Sequence, residues 1–245
     1  MDSQMMTGNL AAAWGARLAD VDYIPAFPIT PQTEIVEALA KWCEGGELAA
    51  RFVTMDSEHS MMTAAGAAEA TGARVFTATS SQGLLYAFEV LYSISGWRAP
   101  LVLVNVSRAL AAPITLESDH NDVLAARDSG FLQIHAETCQ EVLDSILMAY
   151  RIAEDERVML PVIVTSQWLL SLGFGGFGTA PQPAAVSIER SQVPTIGTST
   201  CIGVGVLSRA RIVKPSRDAP CTGASSMRGV SFAARLRSTL MPPNE

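Results

Sequence analysis

Four polar stations interrupt the first half of the chain, each just after a short apolar run: Thr30, Glu58, Ser80 with Gln82, and Arg108. The guanidinium of Arg108 is a planar fork suited to gripping a carboxylate or phosphate by two parallel bonds. Residues 1–166 hold only nine Lys and Arg against 21 Asp and Glu, so a cation here is a scarce resource. Its plainer use would be a surface ion pair. Thr30 stands between Pro28 and Pro31. Pro31 suits the first position of a helix, which would make Thr30 its N-cap. Such a helix start offers unpaired N–H groups to an anion, although it also serves as an ordinary capped turn. Glu58 sits among Met55, Met61, Met62, Ala64 and Ala65. An acid in apolar company can do proton chemistry, or it can simply favour the positive end of a helix dipole.

The elements that would position these groups follow from periodicity. Apolar runs over about 22–26, 51–55, 75–79, 100–106, 131–135 and 161–165 read as six strands. Helices are expected over about 8–19, 31–43, from 57 towards Gly72, 83–95, 122–129 and 139–154. In the second, Ile35, Ala38, Leu39 and Trp42 share one face. Asp56 or Ser57 would cap the third. Strands this continuously apolar, alternating with helices, predict a parallel sheet buried on both faces. In an open sheet of that kind, ligands gather beyond the carboxyl ends of the strands. All four stations lie there.

Composition narrows the classes of function. Hydrophobic residues make up 49% of the 245, enough for a sizeable core. The net charge of −7 argues against a nucleic-acid partner held through its phosphates. No apolar run is long enough to span a bilayer, and the amino terminus lacks the pattern of a secretory signal. A cytoplasmic protein is the expectation. Cys43, Cys139, Cys201 and Cys221 are too scattered for a zinc site or an iron–sulfur cluster and read as free thiols. His59, His120 and His135 have no evident nucleophile partner. The polar cluster Glu117, Asp119, His120, Asn121 and Asp122 reads as a solvated or helix-capping loop, and no metal site is expected. Gly173, Gly175 and Gly178 fit a dinucleotide fingerprint, but Pro181 and Pro183 discourage the helix it needs.

Three segments taken together resemble the first domain of the alpha subunit of pyruvate:ferredoxin oxidoreductase and its 2-oxoacid relatives. They are Phe27-Pro-Ile-Thr-Pro-Gln-Thr33, the run from Ser57-Glu-His59 through Thr77-Ala-Thr-Ser-Ser-Gln-Gly83, and Ser107-Arg-Ala-Leu-Ala-Ala-Pro113. Asp119-His-Asn-Asp-Val123 through Ala126-Arg-Asp-Ser-Gly130 is similar to the same family, and Phe27 stands where it usually has Tyr. The resemblance implies an α/β, thiamine-diphosphate-binding fold of the pyrimidine-side type over 1–166. It implies that Glu58 hydrogen-bonds the aminopyrimidine ring and favours the tautomer that deprotonates the thiazolium carbon, and that Ser80 and Gln82 help bind the cofactor. It also implies that Thr30 and Arg108 hold the carboxylate of the 2-oxoacid. The chemistry would belong mostly to the cofactor, with the protein tuning it.

No Gly-Asp-Gly followed by Asn occurs, and no cluster-binding cysteine motif. The resemblance therefore implies partners: a beta subunit that shares the thiamine diphosphate and holds its Mg, ferredoxin-like subunits with iron–sulfur clusters, CoA, and ferredoxin or flavodoxin as acceptor. The expected activity is CoA-dependent oxidative decarboxylation of a 2-oxoacid, or the reverse synthase reaction. The alternative is a truncated, catalytically incompetent fragment that acts at most as a binding module. Beyond Ser166 the resemblance stops. Residues 167–245 carry eight basic and three acidic residues, reversing the earlier balance. Codons for the family's Asn-Gly-Phe-Phe, read one nucleotide out of register, can give the Gln167-Trp-Leu-Leu170 found here. That region is expected to be an irregular, basic tail, out of frame or disordered, or else a genuine unusual extension.

Overall fold

The computed structural model describes residues 2–111, 117–167 and 184–188, all within one compact unit. In chain order they form β1 (Asp2–Met6), α1 (Gly8–Leu18), β2 (Tyr23–Ala26), α2 (Thr33–Glu44), β3 (Arg51–Thr54) and α3 (Glu58–Glu69). These are followed by β4 (Phe76–Thr79), α4 (Gln82–Tyr86), α5 (Phe88–Trp97), β5 (Val102–Ser107) and α6 (Asn121–Ala125). A 3-10 turn (Ala126–Ser129), β6 (Leu132–Ala136), α7 (Cys139–Ala153), β7 (Val162–Gln167) and β8 (Ala184–Ile188) complete the set.

All six expected strands are present. Strands β4, β5, β7 and β6 lie side by side in that order, every pair parallel. The parallel pair β2–β3 continues this sheet at its β4 edge. There a parallel bridge joins Tyr23 to Val75, and Thr77 Oγ1 donates to the Pro25 carbonyl at 2.8 Å. The working order is thus β3-β2-β4-β5-β7-β6, an open parallel sheet.

Side-chain alternation splits the core into two layers. Phe76, Ala78, Val102, Val104, Val106, Val162 and Val164 face α1, α2 and α7. Val75, Leu101, Leu103 and Ile163 face the layer that holds Met61, Met62, Leu91 and Ile94 of α3 and α5. Close approach on that second face requires Gly66, where a Cβ would stand 2.6 Å from Ile94. The expected helix face is also present, with Ile35 and Leu39 buried and Ala38 and Trp42 packed on the same core.

The amino ends of the strands hold a buried charged cluster. Arg74 pairs with Glu154 through two bonds of 2.5 and 2.6 Å, and its Nη1 donates to the Ala19 carbonyl. Its backbone N–H donates to Asp22. Beside it Glu69 accepts the Val75 N–H at 2.9 Å, and Tyr150 donates its hydroxyl to the Val75 carbonyl at 2.8 Å. Burial pushes the Glu69 carboxyl up to about 8 and the Tyr150 hydroxyl well above its ordinary range.

Several sequence expectations need correction. The helix after β2 begins at Thr33 with Gln32 as N-cap residue, so Pro31 is not its first residue and Thr30 does not cap it. The Thr30–Pro31 bond is cis, and the Phe27–Gln32 loop is held instead by side-chain bonds to its carbonyls. The expected 83–95 helix is two, α4 and α5, meeting at Ala87. The 122–129 helix is one short α-turn followed by a 3-10 turn. The antiparallel pair β1–β8 was not anticipated, and β8 lies within the stretch expected to be irregular. The rest of the tail, including Gly173–Gly178, lies outside the described residues, as do Ala112 and Pro113.

Candidate functional site

The strand order gives the four stations their meaning. Glu58 follows β3, Thr30 follows β2, Ser80 and Gln82 follow β4, and Arg108 follows β5. Those are four consecutive neighbours in the sheet, so all four groups stand along one carboxyl edge.

Glu58 is the first residue of α3. Ser57, in extended conformation, caps the helix by accepting the Ser60 N–H at 3.2 Å. The carboxylate therefore sits at the positive end of the helix dipole. The residue is only 7% exposed. No hydrogen bond or ion pair to its carboxylate is formed among the described residues. Gly83 makes room for it. A Cβ there would stand 2.7 Å from Glu58 Oε1 and 2.5 Å from Thr79 Oγ1.

Arg108 is 9% exposed and donates from Nε to the Thr30 carbonyl at 2.9 Å. The structure thus brings together two residues paired in the sequence reading, but through a main-chain oxygen rather than the threonine hydroxyl. The Thr30 side chain is exposed. No carboxylate among the described residues pairs with Arg108, which leaves the outer face of its fork open to an anion. Two residues that sequence reasoning missed fix this loop: Asn9 donates to the Pro31 carbonyl and Gln32 to that of Phe27, both at 2.8 Å. A polar residue at 9 within an alanine-rich helix was the available signal.

Ser80 is fully buried and its hydroxyl is engaged by the Val106 carbonyl at 2.6 Å. Gln82 accepts from the Ser81 hydroxyl through Oε1 at 2.7 Å, while its Nε2 is buried without a protein partner among the described residues.

Asp122 overturns the loop reading: it is 0% exposed and accepts from Asn105 Nδ2, the Ser81 N–H and the Val123 N–H. Asp119, one residue before the His120 N-cap of α6, accepts the Asn121 N–H at 2.8 Å. No metal-holding group of His, Cys, Asp or Glu occurs among the described residues. His120 and His135 stack edge-on at 5.5 Å, and partial burial, then the His120 charge, hold His135 below the usual imidazole range.

Residues 14–171 match the family model described as pyruvate flavodoxin/ferredoxin oxidoreductase, thiamine diphosphate-binding. The chain belongs to this family. Among characterised relatives it is 55% identical over 161 residues to the pyruvate synthase subunit PorA of Methanocaldococcus jannaschii, covering 66% of this chain and 41% of that one. The ketoisovalerate oxidoreductase subunit VorA of Pyrococcus horikoshii is 44% identical over 179 residues, covering 73% and 45%. The chain therefore spans about two fifths of the length of these relatives. A 2-oxoglutarate:ferredoxin oxidoreductase from Magnetococcus marinus, solved with 2-oxoglutarate, coenzyme A and succinyl-CoA bound, shares the fold. Its TM-score is 0.63 at 24% identity, over 69% of this chain and 30% of that one. The family assignment and the α/β parallel fold agree with the sequence reading.

The residues present fit an aminopyrimidine. Among the described residues, the buried Glu58 with no partner for its carboxyl, the unpaired Gln82 Nε2 and a wall kept bare at Gly83 are complementary to a flat ring carrying acceptor and donor nitrogens.

Proposed function

We propose that this chain supplies the pyrimidine side of a thiamine diphosphate site in a 2-oxoacid:ferredoxin oxidoreductase, the site being completed by a beta subunit. The observation that carries this reading is Glu58, a buried residue whose carboxyl has no partner among the described residues, at the carboxyl edge of a sheet belonging to a thiamine diphosphate-binding family. When bound, the cofactor supplies the carbon nucleophile that attacks the 2-oxoacid and the electron sink for decarboxylation. Glu58, at the first position of α3, would share a proton with the ring nitrogen through its carboxyl. Gln82 Nε2 offers a donor to the bound ring, and Ser80 contributes by fixing the turn that carries it. Arg108 and Thr30 hold the substrate carboxylate, the feature common to all 2-oxoacids.

The overall reaction of the assembled protein is conversion of a 2-oxoacid and CoA to an acyl-CoA and CO2, or its reverse. The electrons pass through iron–sulfur clusters on ferredoxin-like subunits to ferredoxin or flavodoxin. Mg is held with the diphosphate by the beta subunit. We place the protein in the cytoplasm: no helix among the described residues is long and apolar enough to cross a membrane, and Cys43 and Cys139 are free thiols. Residues 1–166 form the cofactor domain, and 167–245 an atypical basic segment, either out of frame or a genuine unusual extension. Sequencing the gene across codons 160–175 and translating the other frames tests that boundary.

The test of function is Glu58→Gln in a complex assembled with the beta and ferredoxin-like subunits. Ferredoxin reduction by pyruvate is expected to fall by about a hundredfold or more, and retained turnover would overturn the assignment. The second reading is a fragment that binds partner or cofactor without turnover. If the wild-type chain forms that complex and binds thiamine diphosphate but reduces no ferredoxin, the fragment reading stands.

A further inference from the structure

Between β4 and α4 the backbone takes a shape its sequence disfavours. Ser81 has φ 46° and ψ −114°. The Gly83 N–H donates to the Ser80 carbonyl at 2.8 Å, closing the turn. This is the conformation of the first central residue of a type II′ turn, the mirror image of type II, where glycine is strongly preferred. A serine there stores strain and persists only where its surroundings over-determine it.

The surroundings do so. Asp122 Oδ2 accepts the Ser81 N–H at 3.1 Å and Asn105 Nδ2 at 2.9 Å, while Oδ1 accepts the Val123 N–H at 2.7 Å. Asn105 in turn donates to Ser107 Oγ at 2.9 Å, which ties the assembly to the end of β5. The Ser81 hydroxyl reaches the Ala109 carbonyl at 2.9 Å and Gln82 Oε1 at 2.7 Å. Asp122 is thus a fully buried carboxylate whose partners are N–H groups, one of them on the strained residue. The turn it holds presents the bare Cα of Gly83 to Glu58 and carries Gln82, whose Nε2 is buried without a protein partner among the described residues.

We propose that Asp122 is a positioning residue for the cofactor-ring site: it holds Ser81 in a glycine-like conformation and so keeps Gln82 and Gly83 aligned with Glu58. This rests on the reading of Glu58 given above. Asp122 is fully buried and acts on the site through one backbone N–H, that of Ser81.

The test is a double-mutant cycle between D122A and S81G in the assembled complex, read by calorimetric binding of thiamine diphosphate with Mg. A hydrogen bond to a charged acceptor carries enough free energy that D122A is expected to weaken binding about tenfold. In the S81G background the restraint is unnecessary, and the same change is expected to cost about threefold or less. Equal penalties in the two backgrounds, or wild-type affinity in D122A, would overturn the proposal. A second readout needs no cofactor. Amide exchange at Ser81 in the full chain is expected to speed up about tenfold or more in D122A, and unchanged protection would overturn the proposal. D122N, the safer variant for folding, keeps an acceptor oxygen and is expected to preserve most of that protection; loss equal to that in D122A would place the effect in the charge and refute the role given to the bond. If the wild-type complex binds no thiamine diphosphate, the ring-site reading fails and this proposal, which rests on it, fails as well. The exchange data then show whether Asp122 still holds Ser81, so the two failures remain distinguishable.

Discussion

Replacing Glu69 by glutamine should stabilise the protein at alkaline pH and leave it nearly unchanged in acid. Glu69 lies at the end of α3, 8% exposed, with one carboxyl oxygen accepting the Val75 N–H. Burial raises its carboxyl from 4.5 to about 8; the carboxylates of Glu154 and Asp22 add to the rise, while the Val75 N–H and the Arg74 charge oppose it. Tyr150, the remaining titratable group facing it, stays neutral because burial holds its hydroxyl well above the ordinary value. Between these two pH values the folded chain keeps a proton that the unfolded chain has lost. Stability contributed by that proton is complete below the unfolded value, declines as pH rises through the window, and is gone above about 8. A rise of that size, at about 1.4 kcal/mol per unit, sets an upper figure of roughly 5 kcal/mol, and relaxation around the charge would bring it to a few. Glutamine keeps an oxygen for the Val75 N–H and never ionises. Urea unfolding of wild type and E69Q from about pH 5 to about pH 9 should give curves that coincide in acid and separate by a few kcal/mol above about pH 8. Parallel curves across that range would refute the reasoning.

At Gly83 the wild-type clearance leaves no room for a methyl group, since two oxygens lie under 3.0 Å from the position a Cβ would take. G83A should therefore weaken thiamine diphosphate binding by displacing the Glu58 carboxyl, and should cost about 1–3 kcal/mol of stability from overpacking; calorimetry and thermal melting measure the two. R108K removes the planar fork and the Nε bond to the Thr30 carbonyl. Steady-state ferredoxin reduction should show KM for the 2-oxoacid raised about tenfold with a smaller change in kcat. An unchanged KM would remove Arg108 from the carboxylate site.

The sheet was legible because its strands are short, apolar and bounded by turn residues, so the carboxyl edge and its four stations followed from alternation alone. What escaped was set by distant contacts. Pro31 has the local credentials of a helix start, yet Asn9 binds its carbonyl, Arg108 binds that of Thr30, and the helix opens two residues later. Asp122 looks in sequence like one of several loop acids. Its burial follows from Asn105, a lone amide in an otherwise apolar strand run that only the fold places beside it. The pair β1–β8 joins segments nearly the whole described length apart, with no local periodicity to announce it.

The two faces of the sheet also differ in how well they satisfy their polar atoms. Thr79 pairs in register with Asn105, and Asn105 with Thr165. Each of these three neighbours has a buried side-chain oxygen with no protein partner among the described residues, and Gln82 Nε2 nearby is in the same state. The alternate positions Ala78, Val104 and Val164 face the opposite layer as plain core. Buried polar atoms left unpaired cost free energy, of order 1–3 kcal/mol each, and a sheet selected only for stability would carry valines in this row as well. The unpaired row follows the carboxyl edge beside Glu58 and stops short of the amino ends, where the Glu69–Arg74–Glu154 cluster is densely bonded. Unpaired polar atoms gathered beside Glu58 mark a place where the fold gives up stability for a ligand.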